Sequence, residues 1–123
     1  MGKIRGIGGI FFKCDDHKAT MDWYEHVLGL DVRDETAFIL KGSGPGPGYQ
    51  VLGYFDGDDD YFAPSDENFM LNLSVDDLEG FVSDLRGRGV DIIGGISCFD
   101  QGKFAWILDP DGRKIELWEP VGA

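Results

Sequence analysis

A single carboxylate set among aromatic residues is the most chemically suggestive feature of this chain. It lies in Phe104-Ala-Trp-Ile-Leu-Asp-Pro-Asp-Gly-Arg-Lys-Ile-Glu-Leu-Trp-Glu-Pro120. Asp109-Pro110-Asp111-Gly112 has the composition of a tight turn: proline presets the first corner and glycine accepts a positive φ. The flanks read as strands. Strand side chains alternate, so Lys114, Glu116 and Trp118 share one face, and Ile115 and Leu117 share the other. A face of that kind can hold a metal ion, hold a cationic ligand, or do neither.

The elements that must position Glu116 are written twice. Residues 9–16, Gly-Ile-Phe-Phe-Lys-Cys-Asp-Asp, alternate, end on two aspartates and lead into an amphipathic run to Gly29. Residues 70–77, Met-Leu-Asn-Leu-Ser-Val-Asp-Asp, do the same and lead into a run to Gly89. Ala-Phe-Ile-Leu at 37–40 returns as Ala-Trp-Ile-Leu at 105–108. An internal repeat of about half the chain follows. It predicts one domain, with repeat one over about residues 4–56 and repeat two over about 68–120.

Strands are predicted over 4–14, 30–33, 36–40, 49–55, 69–75, 90–93, 104–108 and 114–118. The first helix is capped by Asp15 or Asp16, carries Met21, Tyr24, Val27 and Leu28 as its apolar stripe, and ends on Gly29 as a left-handed cap. The second carries Leu78, Phe81, Val82 and Leu85 inward. Each half is one βαβββ unit with a helix over one sheet face, and the two open faces curve into a shared cavity. The off-helix positions Gly9, Phe11, Lys13, Met70, Asn72, Ser74, Lys114, Glu116 and Trp118 are expected to line it. Such a wall suits a small molecule; the alternative is a polar face covered by a partner subunit.

The paired units, with Trp23-Tyr24, Leu28-Gly29-Leu30, Asp109-Pro-Asp-Gly112 and Ile115-Glu-Leu117 in this order, resemble the glyoxalase/bleomycin-resistance/dioxygenase superfamily, also called vicinal oxygen chelate. The resemblance spans about residues 4–120. It implies an α+β fold, a curved eight-stranded mixed sheet around a pocket, and a homodimer. Metal-using members carry ligands on the first and last strands of each repeat. The corresponding first-strand positions here are Gly9, which has no side chain, and Met70, a soft thioether that does not suit a hard divalent ion. Glu116 fits the carboxylate position of the last strand, and Gln50 is the one amide near its counterpart in repeat one. Three protein ligands are the usual minimum for catalytic zinc or non-haem iron. With Glu116 alone retained, a divalent metal is disfavoured and no cofactor is expected. His17, in the turn before the first helix, and His26, within that helix, are not expected to reach the pocket.

Composition bounds the partners. The formal net charge is −12, from 23 acidic against 11 basic residues, a field that repels nucleic acid and anionic membrane. No apolar run approaches a membrane span or a signal peptide. Cys14 and Cys98 read as reduced thiols of a cytoplasmic protein. The Gly-Pro-rich run at 42–48 lacks the Gly-Lys-Ser/Thr ending of a phosphate loop and reads as a hairpin connection near the cavity mouth. Asp56-Gly-Asp-Asp-Asp-Tyr-Phe62 reads as a solvated linker that lays Tyr61 and Phe62 on the rim.

Two functions remain. In one, the pocket binds a small cationic or aromatic molecule without transforming it, as bleomycin-resistance members do: Phe11 and Trp118 stack on it and Glu116 pairs with it. In the other, the chain is a lyase or isomerase in which Glu116 is general base on a carbonyl substrate, and Lys13 or Lys114 stabilises the enolate.

Overall fold

The structure is a computed structural model that describes residues 2–41 and 49–122. The predicted connection at 42–48 lies outside the described residues. In chain order the elements are β1 (Ile4–Cys14), α1 (His17–Leu28), β2 (Ala37–Lys41), β3 (Tyr49–Asp56), β4 (Phe69–Val75), α2 (Leu78–Gly87), β5 (Ile93–Phe99), β6 (Gly102–Leu108) and β7 (Lys114–Pro120).

The strands form one sheet in the order β2-β3-β1-β4-β7-β6-β5. The first strands of the two halves, β1 and β4, run antiparallel at its centre. Outward from them, β1–β3 and β4–β7 are parallel, and β2–β3, β6–β7 and β5–β6 are antiparallel. The sheet is curved and unclosed: Ile39 on edge strand β2 and Phe99 on the opposite edge strand β5 line the same cavity.

Both helices sit on the convex side, where alternation gives each a separate core. Leu78 and Val82 of α2 are buried against Val75, Ala105 and Leu117 of the sheet, with Phe81, Leu85 and Ile115 packed around them. Met21 of α1 is buried against Phe38 and Tyr54 of the sheet, joined by Phe12, Cys14 and Tyr24. Burying one such side chain fully stabilises the fold by about 1.5–3 kcal/mol. Asp16 caps α1 by accepting from the backbone N–H groups of Lys18 and Ala19, and Gly29 closes it at φ 78°. Asp77 caps α2 by accepting from Gly80 N–H.

Three expectations are corrected. The sheet has seven strands among the described residues, not eight, because residues 30–33 form no strand. Ile39 N donates to Val32 O and Asp34 N to Ala37 O, which leaves a lone bridge between Arg33 and Phe38. The Arg33 guanidinium turns back to Asp22 and Glu25 of α1, at 3.1 and 2.6 Å. The strand expected at 90–93 starts at Ile93 and continues to Phe99, since Val90 N is tied to Leu85 O at the end of α2. Cys98 is therefore an exposed strand residue opposite Lys103. Val27 and Leu28, expected in the inward stripe of α1, are 60% and 56% exposed, so the last turn of the helix overhangs its core. No helix among the described residues is long and apolar enough to cross a membrane.

Candidate functional site

The position of Glu116 follows from the turn before it. Asp109 Oδ1 accepts from the N–H groups of Asp111 and Arg113, both at 2.9 Å, and Gly112 takes φ 84°. The hairpin register this sets places Trp106 opposite Glu116 and Phe104 opposite Trp118. The parallel pairing with β4 places Asn72 opposite Glu116 on the other side. Asn72, Glu116 and Trp106 thus form one row across three strands, facing the concave side.

Glu116 is 2% exposed. Its Oε1 accepts from Asn72 Nδ2 at 2.6 Å. Its Oε2 accepts from Trp106 Nε1 at 2.9 Å and from the Tyr61 hydroxyl. Tyr61 comes from the segment between β3 and β4 and lies flat on Phe55, with ring centroids 5.2 Å apart. Lys114 Nζ donates to the Tyr61 carbonyl at 2.6 Å and lies 5.1 and 5.7 Å from the ring centres of Tyr61 and Trp106. Burial pushes the Glu116 carboxyl above its ordinary range, against the donors from Tyr61, Trp106 and Asn72 and the charge of Lys114. Burial likewise lowers the Lys114 ammonium, opposed by Glu116 and Asp60. The Tyr61 phenol is held well above its ordinary value by burial and by the neighbouring carboxylate.

These groups border a cavity of about 580 Å³. Of the residues anticipated from alternation, Phe11, Asn72, Glu116 and Trp118 line it. The other five are placed elsewhere: Gly9 is buried in β1, where a Cβ would meet the Val51 backbone. Met70 is fully buried outside the lining. The Lys13 ammonium lies 5.4 Å from the Phe62 ring centre. Lys114 sits behind Tyr61 and Trp106, and Ser74 Oγ donates to Gly6 O at 3.3 Å. Tyr61, expected on the rim, lines the cavity, and Ile39, Tyr49, Val51 and Phe104 join the wall without having been anticipated. Phe104 is readable from its place opposite Trp118 in the hairpin. The bond from Tyr61 to Glu116 is a tertiary contact made from a loop, and no sequence signal marks it.

Aromatic packing and two glycines shape the wall. The Phe104 and Trp118 rings are 4° from parallel at 6.1 Å, and Tyr49 meets Trp118 edge-on at 5.3 Å. Trp118 Nε1 is anchored on Gln101 O at 2.9 Å. A Cβ at Gly8 would stand 2.2 Å from Asn72 Oδ1 and 2.8 Å from Trp118 Cε3. A Cβ at Gly53 would stand 2.3 Å from the Phe11 ring, so the missing side chain makes room for that ring.

The donor set is a poor match to a divalent ion. Among the described residues no three His, Cys, Asp or Glu side chains converge. Glu116 is surrounded by N–H and O–H donors, where a metal would need further acceptors. Gln50 Nε2 turns to Ile7 O at 3.1 Å. His17 pairs with Asp56 at 3.0 Å and His26 bonds the Asp22 carbonyl at 2.8 Å; neither lines the cavity.

A family model described as Glyoxalase/Bleomycin resistance protein/Dioxygenase superfamily matches residues 6–117. The chain belongs to this superfamily. Among solved structures it is similar to methylmalonyl-CoA epimerase from Mycobacterium tuberculosis, with 19% identity over 95% of this chain and 89% of that one, TM-score 0.70. It is also similar to a Streptomyces coelicolor methylmalonyl-CoA epimerase variant in complex with 2-nitronate-propionyl-CoA, with 18% identity over 96% and 99%, TM-score 0.73. A superfamily member from Vibrio splendidus 12B01 matches at 15% identity over 95% and 99%, TM-score 0.60. At these identities the likeness concerns the fold. A comparison with curated proteins gave no match.

Proposed function

We propose that this superfamily member binds a small planar molecule in its concave cavity and uses no transition metal to do so. The observation that carries the reading is Glu116: one buried carboxylate on the wall of an aromatic cavity, held by three organic donors. Trp118, Phe104 and Phe11 offer faces and edges for a flat ligand, and Glu116 offers an acceptor for a donor or cationic group. The ligand class is cationic or aromatic, as in bleomycin-resistance members. The same reading takes the protein as a cytoplasmic homodimer that engages neither nucleic acid nor membrane. Its free cysteines and its acidity suit that setting.

The test is a tryptophan-fluorescence titration across a panel of planar cations, paired with native mass spectrometry for a co-purified ligand. Quenching through Trp118 is expected, and silence across the panel counts against the reading. Elemental analysis is the second arm: one tightly held transition ion per chain would overturn metal independence.

A second reading has an observation of its own. Burial pushes the Glu116 carboxyl toward neutrality, the tuning a general base needs, and the fold is shared with proteins named as epimerases. Glu116 would then take a proton from the carbon beside a carbonyl. Lys114 does not line the cavity, so in this reading Tyr61 and Asn72 are the polar neighbours of the substrate. Deuterium wash-in to methylmalonyl-CoA checks it: Glu116→Gln should lower exchange by about 100-fold or more, and unchanged exchange rejects the role.

A further inference from the structure

The cavity runs along the strands, and its two ends carry opposite charge. Three residue rows cross the wall. In the middle row, Ile39, Val51, Gly9, Asn72 and Glu116 are successive partners. One row toward β2's end, Lys41 pairs with Tyr49, which meets Trp118. One row toward β2's start, Ala37, Gly53 and Phe11 are partners, with Asp34 just beyond. At about 3.3 Å per residue, Ala37 and Lys41 are roughly 13 Å apart.

Lys41 is the one basic side chain in the lining and has no ion-pair partner among the described residues. Every Arg or Lys in an ion pair here sits away from the cavity. Asp34 Oδ1 accepts from Thr36 N at 2.9 Å and Ala37 N at 2.8 Å, so this carboxylate is held by its own turn at the opposite end of the lining. Between these ends the hydroxyl of Tyr61 and the indole N–H of Trp106 are already engaged by Glu116. Asn72 Oδ1 is buried without a partner. The unfilled polar capacity at the middle row therefore includes acceptors, and the unfilled capacity at the Lys41 end is a cation.

We propose that the ligand is a dipolar planar molecule, seated with an anionic group at Lys41 and a hydrogen-bond donor turned to Glu116. This rests on the binding reading above and adds a direction to it. An unpaired ammonium recognises a carboxylate, sulfonate or phosphate, and the aromatic wall between the two groups takes a flat apolar body. A purely cationic ligand would leave Lys41 facing like charge.

Calorimetric titration of the full chain with four indoles, at low salt, tests this. Indole-3-propionate should bind about fivefold more tightly than neutral 3-methylindole, and tryptamine should gain nothing over 3-methylindole. Methylating the ring nitrogen of indole-3-propionate should weaken it about fivefold. Lys41→Gln, at an exposed position with its fold checked by circular dichroism, should bring indole-3-propionate and 3-methylindole within twofold of each other. An anion preference that survives Lys41→Gln, or tryptamine binding tightest, overturns the proposal. If 3-methylindole binds and charge makes no difference, the proposal fails while the binding reading stands. If no indole binds, both fail.

Discussion

Asn72 and Glu116 stand opposite each other on the parallel strands β4 and β7, and Asn72 Nδ2 donates to Glu116 Oε1 at 2.6 Å. The two residues are 2% exposed each, so neither can substitute water for the other. The pair ties the first and last strands of the second repeat together at one carboxylate. It also fixes which way the Asn72 amide faces, since a flipped amide would set its oxygen against Glu116.

Replacing Asn72 with leucine removes the donor and leaves a buried charged oxygen short of a partner. Urea denaturation should register a loss of about 1–3 kcal/mol, and the Glu116 carboxyl should titrate higher than in the wild type. A variant of unchanged stability would mean that water or a neighbour replaces the amide, and that the contact is not a structural one.

Gly8 and Gly6 make a controlled pair on β1. Alanine at Gly8 puts a methyl 2.2 Å from Asn72 Oδ1 and 2.8 Å from Trp118 Cε3, whereas alanine at Gly6 meets nothing within 4 Å. Gly8→Ala should cost about 1–3 kcal/mol and shift the tryptophan emission, because Trp118 must move. Gly6→Ala should stay within about 0.5 kcal/mol of the wild type. Equal behaviour of the two variants would contradict the packing described around Gly8.

The hairpin and both helix caps were legible because each depends on local chemistry: the Asp109–Gly112 turn, Asp16, Asp77 and Gly29. Strand alternation likewise put Phe11, Asn72, Glu116 and Trp118 on one face. Trp106 was within reach of the same logic, since the turn sets it opposite Glu116. Tyr61 was expected on the rim, but its bond to Glu116 was not legible. Its hydroxyl finds a carboxylate 55 positions away, a tertiary contact that no local pattern marks. The strand expected at 30–33 failed because Arg33 answers to two carboxylates on α1, a competition that periodicity does not register. Lys13 and Lys114 share the concave parity, yet each folds over aromatic rings instead of reaching the cavity. Parity assigns a face, and side-chain length then decides where the charge ends up.

The pH dependence of stability should carry the mark of Glu116. Burial raises this carboxyl above its ordinary value near 4.5, so the folded chain holds the proton more tightly than the unfolded one. Its contribution is fully present below the unfolded pKa and is lost as pH rises through the folded one. The wild type should therefore lose stability relative to Glu116→Gln from about pH 4.5 upward, then level off once the folded carboxyl has ionised. Asp109 and Asp76 act with the opposite sign. Backbone N–H donation from Arg113 and Lys3, respectively, lowers their carboxyls, so their contributions fade as pH falls. Urea midpoints taken from acid to neutral pH separate the two, and a wild-type-to-Gln difference that stays constant would remove Glu116 from the account.

Restoring the superfamily's metal ligands should fail for a steric reason. Gly9 is buried between β3 and β4, and a Cβ there would stand 2.2 Å from Val51 O, with Val51 C and N at 3.1 and 3.2 Å. All three are backbone atoms of a paired strand, so no side-chain rotation relieves the overlap. Gly9→His should destabilise the fold by about 3 kcal/mol or more. Met70 is fully buried and absent from the cavity lining, so a histidine there does not face Glu116 either. The double variant Gly9→His, Met70→His should therefore bind no stoichiometric zinc, as read by elemental analysis after dialysis, and should unfold at lower urea. A folded double variant that retains one zinc ion per chain would show that β1 and β3 can part far enough to rebuild the site.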